Sequence, residues 1–154
     1  MDTDINFCKL RKATKDDMDL LYHWANNYDV RKNSFNSDDI LYENHVHWFN
    51  NKINSPTSII YIYQYYNSPV GQIRFEIEND KAEVNYSISK DYRGHGHGEH
   101  MLKLAEQQLK IDRPEVVTII AKVMPHNVAS KLIFEKSGYF HVYEKHLNNI
   151  SDNY

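Results

Sequence analysis

The sequence predicts an α/β layered domain with a mixed sheet, and three observations carry that prediction. Apolar residues alternate with a two-residue period mid-chain, as in Val84, Tyr86 and Ile88 against Glu83, Asn85 and Ser87. They recur at helical spacing in Met18, Leu21, Tyr22 and Ala25, and again in Met101, Leu102, Ala105 and Leu109. Between one such strand and one such helix lies a glycine-rich run, RGHGHG, over residues 93–98. The resulting order, β-α-α-β-β-β-α-β-α-β, interleaves the two element types.

Element by element, Phe7–Ala13 reads as a first strand. Thr14-Lys15-Asp16-Asp17 follows as a capping-box variant, with Asp where Glu or Gln is usual, and starts the short helix that carries Met18 to Ala25. Asn26–Asn36 is polar and loop-like. A second helix is expected from near Ser37–Asp39 to about Ile53, with Trp48 and Phe49 as its heaviest apolar residues. Ser58–Tyr65, rich in Ile and Tyr, is a strand. Asn67-Ser68-Pro69 turns the chain into Val70–Ile77, and Asn79-Asp80 turns it again into Ala82–Ser89, an antiparallel meander. Arg113-Pro114 ends the helix that follows the glycine run. Val116–Val123 is a continuous apolar-rich run of the kind a strand buried on both faces shows. Pro125-His126-Asn127 opens a last helix closed by Gly138, and Tyr139–His146 forms a final strand.

Length and composition bound the rest. A chain of 154 residues fits one domain, taken as 1–147 with a frayed tail at 148–154. With 18 basic and 21 acidic residues it has no electrostatic footprint for nucleic acid. No apolar run approaches the ~20 residues of a membrane span, and MDTDINF lacks the character of a signal peptide. The single Cys8 rules out internal disulfides and fits a reducing, cytoplasmic location.

Strand, glycine loop and helix together form a cradle for pyrophosphate. Glycine admits positive φ and close approach of a ligand, and amides converge at a helix N-terminus whose dipole favours anions. A Walker loop would need Lys-Ser/Thr after the last glycine, where Glu99-His100 stands. The dinucleotide fingerprint would need G-x-G-x-x-G, where the run is G-x-G-x-G. The alternative is a glycine-rich turn with no ligand.

The spacing Arg93-x-x-Gly96-x-Gly98, with Asn127-x-Ala129-Ser130 and Phe134-Glu-Lys-Ser-Gly138-Tyr139 downstream, resembles the GCN5-related N-acetyltransferase family over nearly the whole chain. The resemblance implies a mixed, mostly antiparallel central sheet with helices on both faces, and acetyl-CoA as cosubstrate without a metal. It implies that Arg93, Gly94, His95, Gly96, His97 and Gly98 hold the pyrophosphate. The backbone near Ile88 would pair with the pantetheine arm, and Asn127 would bind that arm near its thiol end. Asn127 also suits a helix start. Acetyl transfer needs a neutral amine, a polarised carbonyl and a leaving thiolate. Glu83 matches a position from which some members deprotonate the amine; a solvated strand residue is the alternative. The family's tyrosine on the last helix is Phe134 here, so Tyr139 and Tyr86 stand as substitutes, with water as a third proton source. His95, His97 and His100 lack the geometry and companions of a metal site.

Within the family, Trp24 to Phe35, His47-Trp48-Phe49 and Pro69 to Phe75 resemble bacterial nucleotide-sugar N-acetyltransferases. Among these is the pseudaminic-acid pathway type, which acetylates a UDP-linked 4-amino-4,6-dideoxy sugar. On that resemblance Arg31, Asn33, Trp48 and Arg74 contact the acceptor, and core packing is the alternative for the aromatic residues. A homodimer is compatible with it. A protein N-terminus as acceptor, or a noncatalytic CoA-binding module, are the competing readings.

Overall fold

The run Ile60-Tyr61-Ile62-Tyr63 is buried on both faces of one strand, and its alternation divides the core in two. Ile60 and Ile62 join Ala13, Leu21 and Phe49, whereas Tyr61 and Tyr63 join Phe75, Met101, Leu109 and Phe134. A strand buried on each side in turn requires helices over both faces of its sheet.

In the computed structural model, which describes residues 3–139 and 144–146, the chain runs β1 (Cys8–Lys12), α1 (Met18–Ala25), α2 (Tyr28–Lys32), α3 (Tyr42–Ile53), β2 (Ser58–Tyr65), β3 (Ser68–Glu78), β4 (Lys81–Ile88), α4 (His97–Asp112), β5 (Thr118–Ala121), α5 (Val128–Lys136) and β6 (Glu144–His146). The six strands stand in chain order, and β4–β5 is the parallel pair in an otherwise antiparallel sheet. Lys81–Val84 pair with Thr118–Ala121, and there the pairing stops. Asn85 to Ile88 continue β4 without β5 beside them. This parting of the two central strands opens the cleft.

Local chemistry accounts for the element ends. Thr14 and Asp17 form the expected capping box, and Arg11 grips the same Asp17 carboxylate through two bonds of 2.8 and 2.9 Å. Those bonds hold the Asp17 carboxyl below the usual carboxylate range. The β2–β3 turn comes one residue earlier than expected. Tyr66 and Asn67 both take positive φ, a two-residue turn whose twist suits a hairpin, and Pro69 falls at the register shift of the strand that follows.

Two expectations fail on the N-terminal side. The polar stretch expected to be loop contains α2, capped by the Asn27 side chain on the Asp29 amide. The third helix starts at Tyr42 rather than near Ser37–Asp39, because residues 36–40 are held as a loop by side chains from Asn26 and Arg31. β5 is also shorter than the apolar run Val116–Val123, since it ends where its partner strand departs. Of the expected last strand, Glu144–His146 is strand, and residues 140–143 and the 148–154 tail lie outside the described residues. Among the described residues no helix is long and apolar enough to cross a membrane.

Candidate active site

The glycine loop is built for its backbone. Gly94 and Gly96 have φ of +77° and +86°, and a Cβ at either would point into open space. Side-chain residues adopt that region at a cost, so glycine is required by the chain path and not by crowding. Gly98 differs: its Cβ would stand 3.0 Å from Ile133 Cδ1, so this glycine lets α5 pack against the start of α4. The first main-chain bond of α4 runs from His100 N to Gly96 O at 3.2 Å. The amides of His97, Gly98 and Glu99 therefore have no carbonyl one turn back, and they form the positive end of a sixteen-residue helix.

The histidines contribute differently than the sequence suggested. The His97 imidazole is buried, with Nδ1 2.8 Å from the Tyr63 hydroxyl and the rings of Tyr65 and Tyr92 beside it. Burial, then His95 and His100, lower its pKa. His97 thus offers the cleft its amide while its ring anchors the loop to the sheet. The His95 carbonyl accepts a hydrogen bond from the Thr3 hydroxyl. Asn127 caps α5, accepting from Ser130 N at 3.2 Å, which leaves its amide nitrogen without a partner among the described residues.

Loop and parted strands open into one cavity of about 1200 Å³. Pockets for one small molecule typically hold ~300–1,000 Å³, so this one has room for two ligands. Its far side is walled by Trp24 and Trp48 and floored by Gln72, Arg74, Asn85 and Ser87. The Arg74 guanidinium lies 4.9 Å from the Trp48 ring, and its Nε lies 3.0 Å from Glu76 Oε2, an ion pair outside hydrogen-bond alignment. Burial pulls the Arg74 pKa down against the pull of Glu76. Lys52 holds the same carboxylate oxygen at 2.8 Å.

Residues 8–139 match the family model described as "Acetyltransferase (GNAT) domain". The chain belongs to the GNAT acetyltransferase family. It is an acetyl-CoA-dependent N-acetyltransferase. No curated protein matches it in sequence. Among solved structures, a spermidine N-acetyltransferase from Vibrio cholerae in complex with CoA and spermine is similar, with a TM-score of 0.77 at 16% identity over 86% of this chain and 80% of that one. An N-acetyltransferase from Staphylococcus aureus Mu50 gives a TM-score of 0.76 at 18% identity over 91% and 98% of the two chains. The ribosomal L7/L12 alpha-N-protein acetyltransferase RimL, in complex with CoA, gives 0.73 at 16% over 84% and 78%. At these identities the likeness is one of fold. The residues fit the cosubstrate of the family: two left-handed glycines with open space before them, and, among the described residues, three uncommitted helix-start amides and a strand edge without a strand partner.

In this GNAT domain the other sequence-predicted residues divide sharply. Tyr86 lines the cavity, and its hydroxyl lies 2.9 Å from that of Ser130, with Phe134 edge-on to the ring. Burial raises the Tyr86 pKa and Ser130 opposes that. Tyr139 lies in the core instead, 4.9 Å from the Phe134 ring centroid, and burial first, then Glu106, drives its pKa well up. It does not line the cavity, because the chain after α5 turns into the core at Gly138. Glu83 is exposed, paired to Lys122 at 3.0 Å, and stands two residues beyond the cavity-lining Asn85 on the same face of β4.

Arg31 is committed to its own loop: Nε donates to Ala25 O at 2.7 Å, Nη1 to Asn36 O and Asp38 O at 3.0 and 3.1 Å, and Nη2 to the Ser34 hydroxyl. Asn33 ends α2, its amide nitrogen donating to Asp29 O at 2.9 Å. Both border the cavity, yet their polar groups serve the wall rather than its interior. Sequence reasoning missed Ser130 as a partner of Tyr86, and missed the floor of Gln72, Asn85 and Ser87. The floor was visible as the polar half of two alternating strands; the Tyr86–Ser130 contact joins distant segments and left no local signal.

Proposed function

We propose that this GNAT enzyme acetylates the amine of a UDP-linked 4-amino-4,6-dideoxy sugar. The observation that carries this reading is Arg74. Its guanidinium lies over the Trp48 ring, ion-paired with Glu76 at one nitrogen, and its terminal nitrogens make no hydrogen bond among the described residues. A partly desolvated, oriented cation of that kind suits a diphosphate, since charge-assisted bonds strengthen away from water. The aromatic walls and amide-and-hydroxyl floor suit a sugar face and its hydroxyls. Arg31, engaged with carbonyls, leaves the acceptor contact to Arg74 and Trp48.

Acetyl-CoA supplies the activated acyl carbon. The amides of Gly94 to Gly98 would hold its pyrophosphate, the β4 edge near Ile88 its arm, and Asn127 the arm's inner end. Tyr86 and Ser130 form the hydroxyl pair from which a proton reaches the leaving sulfur. Tyr139, sealed in the core, drops out of that role. Glu83 is separated from the cavity by one strand position, so a proton it takes would travel through water.

A cationic amine acceptor is the second reading, favoured by Asp38 and Asp39 at the cavity wall. Thiol release measured against the UDP-linked 4-amino sugar, the free amino sugar, spermine and a ribosomal-protein N-terminal peptide separates these. Turnover dependent on the UDP group, with UDP competing against acceptor but not against acetyl-CoA, is expected. Turnover with spermine or peptide alone would sink the nucleotide-sugar reading.

A further inference from the structure

α2 has no core to hold it. None of its five residues is buried, and so short a helix has no stability of its own. Arg31 ties it back to the Ala25 carbonyl at the end of α1, and polar contacts at its two ends hold it across the cleft. At the N-terminal end Arg93 reaches across from beyond β4: Nη1 donates to Asp29 Oδ2 at 3.2 Å, Nη2 to Asn27 Oδ1 at 3.3 Å, and Nε to the Ile88 carbonyl at 2.8 Å. At the C-terminal end His126, in the β5–α5 connection, donates Nε2–H to the Lys32 carbonyl at 3.0 Å. One tether comes from the segment after β4 and the other from the segment after β5. These are the strands whose parting opens the cleft, so α2 spans it.

The helix also sets the acceptor wall. Asn27 N bonds back to Trp24 O, and Arg31 within α2 gathers the following loop. Moving α2 would therefore move Trp24 and residues 34–38 relative to the glycine loop. We propose that Arg93 is a positioning residue for the amine acceptor: it clamps α2 across the parting of β4 and β5 and so sets the acceptor wall against the cofactor loop. The family spacing suggested a cofactor contact for this arginine; two of its three hydrogen bonds go to the α2 end on the acceptor side, and the third ties it to the end of β4. The inference rests on the acceptor site described above.

The test uses Arg93→Ala, Asp29→Ala and the double variant. Calorimetry with CoA should give a dissociation constant within about twofold of wild type for Asp29→Ala, which leaves both the loop amides and the Arg93–Ile88 bond in place. Acrylamide quenching reads the chain's two tryptophans, Trp24 and Trp48, both in the acceptor wall. It should rise about twofold in Arg93→Ala, less in Asp29→Ala because the Asn27 bond survives there, and no further in the double than in Arg93→Ala, since the Asp29 bond is part of the Arg93 clamp. In turnover with the UDP-linked amino sugar, acceptor KM should rise by up to about fivefold with acetyl-CoA KM unchanged in Asp29→Ala, the upper range for a partly exposed ion pair. His126→Ala cuts the second tether and should raise quenching too, which keeps the test open should Arg93→Ala misfold. A tenfold loss of CoA affinity with unchanged quenching would overturn the proposal and return Arg93 to the cofactor site. Should wild type ignore the sugar, only the acceptor reading fails; calorimetry and quenching still decide Arg93.

Discussion

The proposed cofactor half and the proposed acceptor half of the cleft are made of different materials. Around Gly94–Gly98 the groups offered to the cleft are main-chain amides, arranged by two left-handed glycines and the start of α4. Across the cavity they are side chains on an aromatic wall and a polar sheet face. A backbone site tolerates most side-chain changes and fails when φ is denied to it. A side-chain site fails one group at a time. The difference teaches where each half is vulnerable, and it orders the expected effects.

Gly96→Val should act most strongly, and only on the cofactor half. A β-branched residue at φ +86° carries strain of order 1–3 kcal/mol, so CoA affinity should fall roughly tenfold to hundredfold by calorimetry. Gly98→Val separates conformation from packing. Its Cβ meets Ile133, and overpacking of about 1–3 kcal/mol should lower Tm by roughly 2–10 °C. Equal CoA affinity in both variants and wild type would end the backbone account of this half.

Next in size is Tyr86→Phe, at the seam between the halves. General-acid catalysis is typically worth ~10²–10⁴, but a thiol of pKa ~8.5 leaves readily, so a loss of about tenfold in kcat is expected. Ser130→Ala should lose less, and acetyl-CoA KM should hold in both. Tyr139→Phe should change stability and leave kcat alone, because its hydroxyl is in the core. A kcat loss confined to Tyr139→Phe would move the proton source away from the cleft.

The same contrast explains what the sequence disclosed. Strand β2, the Thr14 capping box and the glycine loop each depend on residues adjacent in the chain, and all were legible. α2 was not, since a helix with no buried face writes no periodic stripe. Arg31 read as a free cation because its partners are carbonyls, and every residue type carries one. Arg74 was legible as an acceptor candidate, but not the Trp48 cation–π contact and the Glu76 ion pair beside it. Local backbone chemistry is written in residue types; side-chain partnerships across the fold are not.

Acid should loosen the acceptor half in a measurable way. His45 is buried among Tyr22, Trp48 and Phe49 and donates Nε2–H to Met18 O at 2.8 Å. Burial lowers its pKa, so its contribution to stability is present above the unfolded value near ~6.5 and lost as pH falls through the folded one. His97 and His100 have the same sign on the cofactor side. Stability should decline below pH ~6.5, and His45→Gln should flatten part of that decline when followed by tryptophan emission. An unchanged profile would mean that the cofactor-side histidines account for all of it.

The smallest effect is expected at Glu83, which tests the boundary between the halves. Its carboxylate is half-exposed and paired to an exposed Lys122, and such pairs are worth about 0–1 kcal/mol. It shares a face of β4 with Asn85 and Ser87 but stops one step short of the cavity. Glu83→Gln should therefore change kcat by less than about threefold, against the ~10²–10⁴ of a directly placed base. If it acts through water, the loss should shrink further at higher pH, where more of the acceptor arrives neutral. A hundredfold loss rescued by raising pH would instead show that the polar face of β4 works as one unit from Glu83 to Ser87. The acceptor half would then extend past the wall that Trp48 and Arg74 draw.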